Sequence, residues 1–486
     1  MYLMLKDEKY GNVPFQRFIY AIYAALILAA YAPVLISTYA FSDDWAAANE
    51  SLTGGDSFRW DVMSGRPIFA LYRLGWVKLI HGIDDIFILR FFSVICTIFF
   101  AVSFHNFILK RKIFSDYWMV FTCPILISLL PSFQVYNSWA TCSPFVLSTF
   151  LSLSSYRVIT QRNSISYPTK LAFGALLLIG SFAIYQPTSL TFIFFMMIDY
   201  CFGRDRRPQI KDFISACLVM ALGLLSSVFL SKVLPKILYG ETLSRAQFTN
   251  DLVGKLDWFA NEAFINALNN FNITPGLIYG YLSAFLLMVG LISFVNKDRA
   301  FINYTFCILM PIACYASNLV IKENWAAFRS LVGLEMSLSF FCICGLFFII
   351  KKINSDLICP LLVLLMAFLL CQNNITNYFV GPQQFELTAL SSYIDSHISK
   401  DYKGTINFKI DDPAYNTFSP GQRYDEFGNI SLATPWAVIG MTNRIKMEKG
   451  FSFNVISQQS DVGKNTTGKD LFINTGDAMR QATSLY

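Results

Sequence analysis

An acidic pair, Asp43-Asp44, stands just before Trp45 in the stretch from Phe41 to Pro67, immediately after the first long apolar run of the chain. Acids at a membrane boundary are costly unless solvated or paired, so an adjacent pair there is a candidate for chemistry. The pair also suits a polar helix cap in a wet loop, because Asp near a helix start is favourable without any reaction. Cations follow at two places. Arg66 lies in Ser64-Gly65-Arg66-Pro67, and Lys322 and Arg329 bracket a segment holding Glu323 and Trp325. A carboxylate to take a proton from a hydroxyl, cations to hold a departing phosphate and aromatic faces to carry sugar are what sugar transfer from a lipid phosphate requires. On that reading Asp44 or Asp43 is the base, and Arg66, Lys322 and Arg329 hold the phosphate. Arginine suits that task because its planar fork donates two hydrogen bonds while staying charged. Trp45, Trp325 and Glu323 are candidates for sugar contact. Lys322 and Arg329 equally suit membrane flanks, with Glu323 pairing with either. A second acidic pair, Asp84-Asp85, directly opens the next apolar run and reads as an N-terminal helix cap.

The elements that must position these residues belong to a membrane. Of 486 residues, 55% are hydrophobic and only 14% charged, too apolar for a soluble protein of this length. Apolar runs of spanning length lie near 18–40, 85–108, 117–132, 140–156, 171–186, 189–203, 212–236, 275–295, 301–321, 331–350 and 357–372, which predicts about eleven transmembrane helices. The runs between 117 and 203 are short and joined by turns containing Pro131, Pro144 and Pro187, so nine spans with re-entrant pieces is the alternative. Lys and Arg collect on one side, as in Lys110-Arg111-Lys112 and Arg204 to Lys211, which puts the N-terminus in the cytoplasm. Segments 41–84, 237–274 and 322–330 then face the other side, together with the tail.

The chain therefore divides into a transmembrane part, 1–372, and a polar C-terminal domain, 373–486. Within the tail, 383–400 reads as an amphipathic helix and 405–410 and 436–446 as strands, a small α/β or mainly β domain. Ionisable residues inside the runs are few: Glu335, Arg90 and Asp199, the last expected to pair with Arg204. That scarcity points away from an ion-coupled transporter, which keeps ionisable groups near mid-membrane. Trp45, Trp60, Trp76, Tyr136, Trp139 and Trp325 read chiefly as interface-belt aromatics. The 11 cysteines show no CxxC pair and the 3 histidines are far apart, so no disulfide frame, metal site or cofactor is expected, and no nucleic-acid partner.

Taken together, the Phe41-Ser42-Asp43-Asp44-Trp45 opening, the Ser64-Gly65-Arg66-Pro67 segment, the length and the polar tail resemble a known family. They are similar to the serotype-converting O-antigen glucosyltransferases of Shigella and its phages, within the polyprenyl-phosphate-sugar-dependent GT-C class. The resemblance implies a mainly α polytopic protein of the bacterial inner membrane with a periplasmic C-terminal domain. It implies undecaprenyl-phosphate glucose as donor, delivered by a separate flippase and a donor-synthesising glucosyltransferase. The implied acceptor is a rhamnose of the O-antigen, free or lipid-linked, and the inverting class gives an α-glucosyl branch. The competing expectations are a lipid-linked oligosaccharide flippase and an O-antigen polymerase.

Overall fold

The computed structural model describes residues 13–53, 57–161, 165–203, 210–243, 247–273, 276–294, 300–352, 358–410, 426–458 and 471–483. Helices dominate it because the apolar runs carry few charges and few breakers, and in a bilayer only a helix satisfies its own backbone. Among the described residues four helical stretches are long and apolar enough to cross a membrane: Ile83–Arg111, Ile210–Tyr239, Phe328–Lys352 and Ile358–His397. A fifth candidate is the pair Tyr117–Ser128 and Pro131–Ser138, bent by 51° where Pro131 interrupts the chain. Shorter apolar helices occupy Gln16–Ala30, Tyr167–Phe182, Ile278–Ser293 and Phe301–Ala313. The eleven expected spans thus do not all appear as helices of spanning length. The first of them breaks at Tyr31 into Val13–Ala30 and Ala32–Ile36, where Pro33 cannot continue the hydrogen-bond ladder.

Phe328–Lys352 is the central helix, with 83% of its apolar window buried inside the protein. It lies backbone to backbone against Leu277–Phe294. A Cβ on Gly290 would sit 1.9 Å from the Phe341 carbonyl oxygen, and one on Gly345 would sit 2.0 Å from that of Leu286. Small residues permit this approach, which supplies helix packing where no hydrophobic drive exists. Phenylalanines fill the remaining core; Phe340 stacks on Phe114 and meets Phe194 and Phe202 edge-on.

The last long helix does not stop at residue 372. Ile358–Ile375 continues through a π turn, Thr376–Val380, into Gly381–His397, so the expected boundary between the two parts falls inside one helical run. Beyond it, β1 (Thr405–Lys409), β2 (Asn454–Gln458) and β3 (Leu471–Asn474) form a parallel sheet in the order β2-β1-β3. Ile406 faces Val455 on one side and Leu471 on the other.

Parallel neighbours need a crossover, and the helix Pro435–Lys449 lies in the connection between β1 and β2. It replaces the strand expected at 436–446. The run Trp436-Ala437-Val438-Ile439 is apolar enough for a strand. Yet the buried residues fall at Ala437, Val438, Met441 and Ile445, a helical spacing, with Pro435 in the first turn and Gly450 (φ 74°) as a left-handed C-cap. This helix presses on the acidic segment: a Cβ on Gly440 would lie 2.8 Å from the Trp45 carbonyl oxygen.

Candidate active site

The acidic pair opens the helix Asp43–Thr53. Ser42 before it adopts φ 48°, a left-handed conformation rare for a residue with a Cβ, and its N–H donates to Ser431 Oγ at 2.8 Å. A strained residue persists where its surroundings hold it, and here the hold comes from the C-terminal segment.

The two aspartates have different surroundings. Asp44 is 1% exposed and both its oxygens are engaged. Oδ1 accepts from the Thr141 N–H and hydroxyl, each at 2.8 Å, and Oδ2 accepts from the N–H groups of Phe41 and Ala140, each at 3.2 Å. Arg90, also 1% exposed, stands 3.7 Å from Oδ2. Burial pushes the Asp44 carboxyl above its usual range, against the pull of Arg90 and of the donors from Thr141 and Phe41. Arg90 in turn donates to the carbonyls of Ser138 and Tyr39 and lies 3.5 Å over the Tyr39 ring. Asp44 is built as a fastener between the acidic segment, the helix Phe87–Arg111 and the turn at Ala140–Cys142. Asp43, by contrast, is half-buried and within electrostatic reach of Asp61 and Cys142.

Asp61 and Arg73 form a buried pair, Nη1 to Oδ2 at 3.1 Å. Burial pushes the Asp61 carboxyl up to about 6, against Arg73 and Arg66, and Asp43 adds to the rise. The short helix Ser57–Met63 ends in a turn that aims Arg66, with Gly65 at φ 76° and the Arg66 N–H on the Asp61 carbonyl at 3.0 Å. Gln186 Nε2 holds this turn from outside, donating to the Gly65 carbonyl at 3.2 Å. The Arg66 guanidinium lies 4.8 Å over the Tyr185 ring, and its Nε is buried without a hydrogen-bond partner. Tyr185 stacks on Phe145 at 3.9 Å. Its ring lies within electrostatic reach of both Arg66 and Arg329.

Arg329 sits in the first turn of Phe328–Lys352, its guanidinium 4.8 Å over Trp139 and 5.4 Å over Trp325. Glu426, 0% exposed, faces it from the C-terminal part. Its Oε2 accepts the Phe328 N–H at 2.7 Å, and Oε1 accepts the Arg329 N–H at 2.9 Å and stands 3.4 Å from Nη1.

Asp43, Asp44 and Arg329 therefore lie within electrostatic reach of Cys142, and Arg66 and Arg329 within reach of the neighbouring Tyr185. Lys322 does not join them; it is exposed, makes no side-chain hydrogen bond or ion pair among the described residues, and is tied only through its N–H to the Gln247 carbonyl. Glu323 pairs with neither expected cation; the charge it acts on is Lys255, whose Nζ donates to the Glu323 carbonyl at 2.7 Å. Trp45 is 1% exposed and offers no face to a sugar, while Trp325 is half-buried under Arg329. Nor do Trp76, Tyr136 and Trp139 form an interface belt, being buried at 3%, 0% and 3% exposure; Trp60 is 50% exposed. Asp84 pairs with Arg444 at 2.8 Å, and Asp85 accepts the His81 N–H, so neither caps the helix Phe87–Arg111 with a side-chain bond. Asp199 pairs with Arg111 at 3.3 Å and accepts from the Tyr156 hydroxyl; the expected partner Arg204 lies outside the described residues.

Asp61, Arg73, Tyr185 and Glu426 are the members that sequence reasoning missed. Asp61, Arg73 and Glu426 could have been found only by a buried-charge argument, and burial is not visible in a loop or tail that reads as polar; Tyr185 sits at the end of the apolar run 171–186, where its type alone gives no signal. Among the described residues no group of three or more His, Cys, Asp or Glu could hold a metal ion. No family model matches the chain, and no curated protein is significantly similar to it.

Proposed function

We propose that the chain is an eleven-span, GT-C-like glucosyltransferase of the bacterial inner membrane. It moves glucose from undecaprenyl-phosphate glucose to a rhamnose of the O-antigen at the periplasmic face. One observation carries the reading: two arginines, Arg66 and Arg329, act on Tyr185, and the half-buried carboxylate Asp43 acts on Cys142, which is itself within electrostatic reach of Tyr185. An acid beside a pair of forked cations is the equipment for deprotonating a hydroxyl while a phosphate departs.

In this mechanism Asp43 takes the proton of the acceptor hydroxyl as its oxygen attacks the anomeric carbon. The new C–O bond forms as the bond from that carbon to the phosphate oxygen breaks. The electron pair leaves with the polyprenyl phosphate, which Arg66 and Arg329 hold. Attack opposite the leaving group turns a β-linked donor into an α-linked branch. Asp44 fixes the turn on which Asp43 stands, and Trp325 is the aromatic face left for sugar. The donor would come from the companion glucosyltransferase and flippase named above. The deciding experiment is transfer of labelled glucose from synthetic polyprenyl-phosphate glucose to isolated O-antigen by the purified protein, beside Asp43→Asn. Transfer lost in the variant supports the reading; labelled lipid crossing the bilayer without a new glycosidic bond replaces it with a flippase.

A further inference from the structure

We propose that Glu426 is an internal counter-anion to Arg329, a positioning residue that loosens the hold on the leaving lipid phosphate and so speeds its release. The inference rests on the polyprenyl-phosphate reading above. The Glu426 carboxylate occupies the donors that a phosphate would use at this helix start: the N–H groups of Phe328 and Arg329, at 2.7 and 2.9 Å, and the Arg329 guanidinium at 3.4 Å. It is locked there. Phe427 packs edge-on against both Phe328 and Phe379, and the Gly428 N–H donates to the Tyr378 carbonyl at 2.8 Å.

Neighbouring donors remain unmet. Arg66 Nε and Trp139 Nε1 are buried without hydrogen-bond partners, and Trp139 lies directly under the Arg329 guanidinium. The anion site is thus asymmetric: Arg66, whose neighbouring acid Asp61 is already paired with Arg73, supplies most of the net charge, while Arg329, matched by Glu426, supplies directed N–H groups. Two fully charged, half-buried arginines would hold a phosphate monoester tightly and stall turnover at product release. A carboxylate beside one of them subtracts from that hold without removing its geometry. A staple that merely fastened the C-terminal segment would act otherwise, since cutting it would weaken binding and stability together.

The test uses the full-length protein in nanodiscs, with undecaprenyl phosphate as probe and labelled-glucose transfer as a second readout. Glu426→Gln is expected to bind undecaprenyl phosphate about fivefold more tightly than the unaltered protein. Its kcat and its donor KM should both fall. Binding that is unchanged, or weaker together with a lower unfolding temperature, overturns the counter-anion role. If the unaltered protein fails to bind undecaprenyl phosphate, the donor reading falls and this inference with it. If it binds and the variant binds no more tightly, only this inference falls. A second comparison leaves Glu426 untouched: Arg66→Gln should weaken binding more than Arg329→Lys, and the reverse order overturns the proposal.

Discussion

Asp44→Asn and Asp43→Asn should separate a structural carboxylate from a reacting one. Asp44 accepts four hydrogen bonds and faces Arg90, with both side chains 1% exposed. An Asn there keeps one acceptor oxygen, turns an amide donor toward at least one of the N–H groups, and leaves Arg90 without its counter-charge. Removing one partner of a buried ion pair costs about 3–5 kcal/mol. Arg90 retains the carbonyls of Ser138 and Tyr39, at 3.1 and 2.7 Å, which sets the expectation at the lower end, about 3 kcal/mol. Asp43→Asn touches a half-buried side chain and should cost less than about 1 kcal/mol. Catalysis should divide the other way, with Asp43→Asn lowering transfer by about 10²-fold or more through loss of the general base. Chemical or thermal unfolding in detergent, run beside glucose transfer, reads both quantities. Asp44→Asn with full stability and no turnover, or Asp43→Asn with full turnover, refutes the reasoning.

Three further outcomes follow from the geometry. Gly65→Ala places a Cβ 2.8 Å from Ser231 Cβ at φ 76°, so it should cost about 1–3 kcal/mol, swing Arg66 off Tyr185 and raise the donor KM in a transfer assay. Gly440→Ala drives a Cβ to 2.8 Å from the Trp45 carbonyl oxygen and should cost about 1–3 kcal/mol by thermal unfolding, with reduced transfer as the acidic helix shifts. Asp61 should contribute a pH dependence of known sign. Its carboxyl is raised from 3.8 to about 6 by burial, so the folded state binds more protons than the unfolded state in that window, and stability falls as pH rises through it. Relative to Asp61→Asn, the unaltered protein should lose up to about 3 kcal/mol between pH 4 and pH 7 in denaturant unfolding; a difference that stays flat or rises would contradict the burial of this carboxyl.

Some of this architecture is written in local sequence. Hydropathy names a membrane protein because a helix in lipid must be apolar along its length, and the long helices at Ile83–Arg111 and Phe328–Lys352 lie where the runs predict. The strand at 405–410 was legible from its alternation; the helix at 383–400 lies where the sequence predicts one, but it buries Gln383 and Glu386 beside Ala389, Leu390 and Ile394, so it is not the amphipathic helix expected there. The apolar run at 436–439 was not legible, because four consecutive apolar residues fit a buried strand or one face of a helix, and the packing against Trp45 decides between them.

The acidic pair, Arg66 and Arg329 could be named from type and spacing, but their different surroundings could not. Those depend on contacts between residues far apart in the chain. Thr141 and Ala140 commit Asp44 from 97 and 96 positions away, Glu426 reaches Arg329 across 97, and Ser431 holds the Ser42 N–H across 389. Local sequence determines which segments are apolar and which residues can react. Which carboxylates are taken up in holding the fold is a matter of burial and long-range pairing, and only the folded chain settles it.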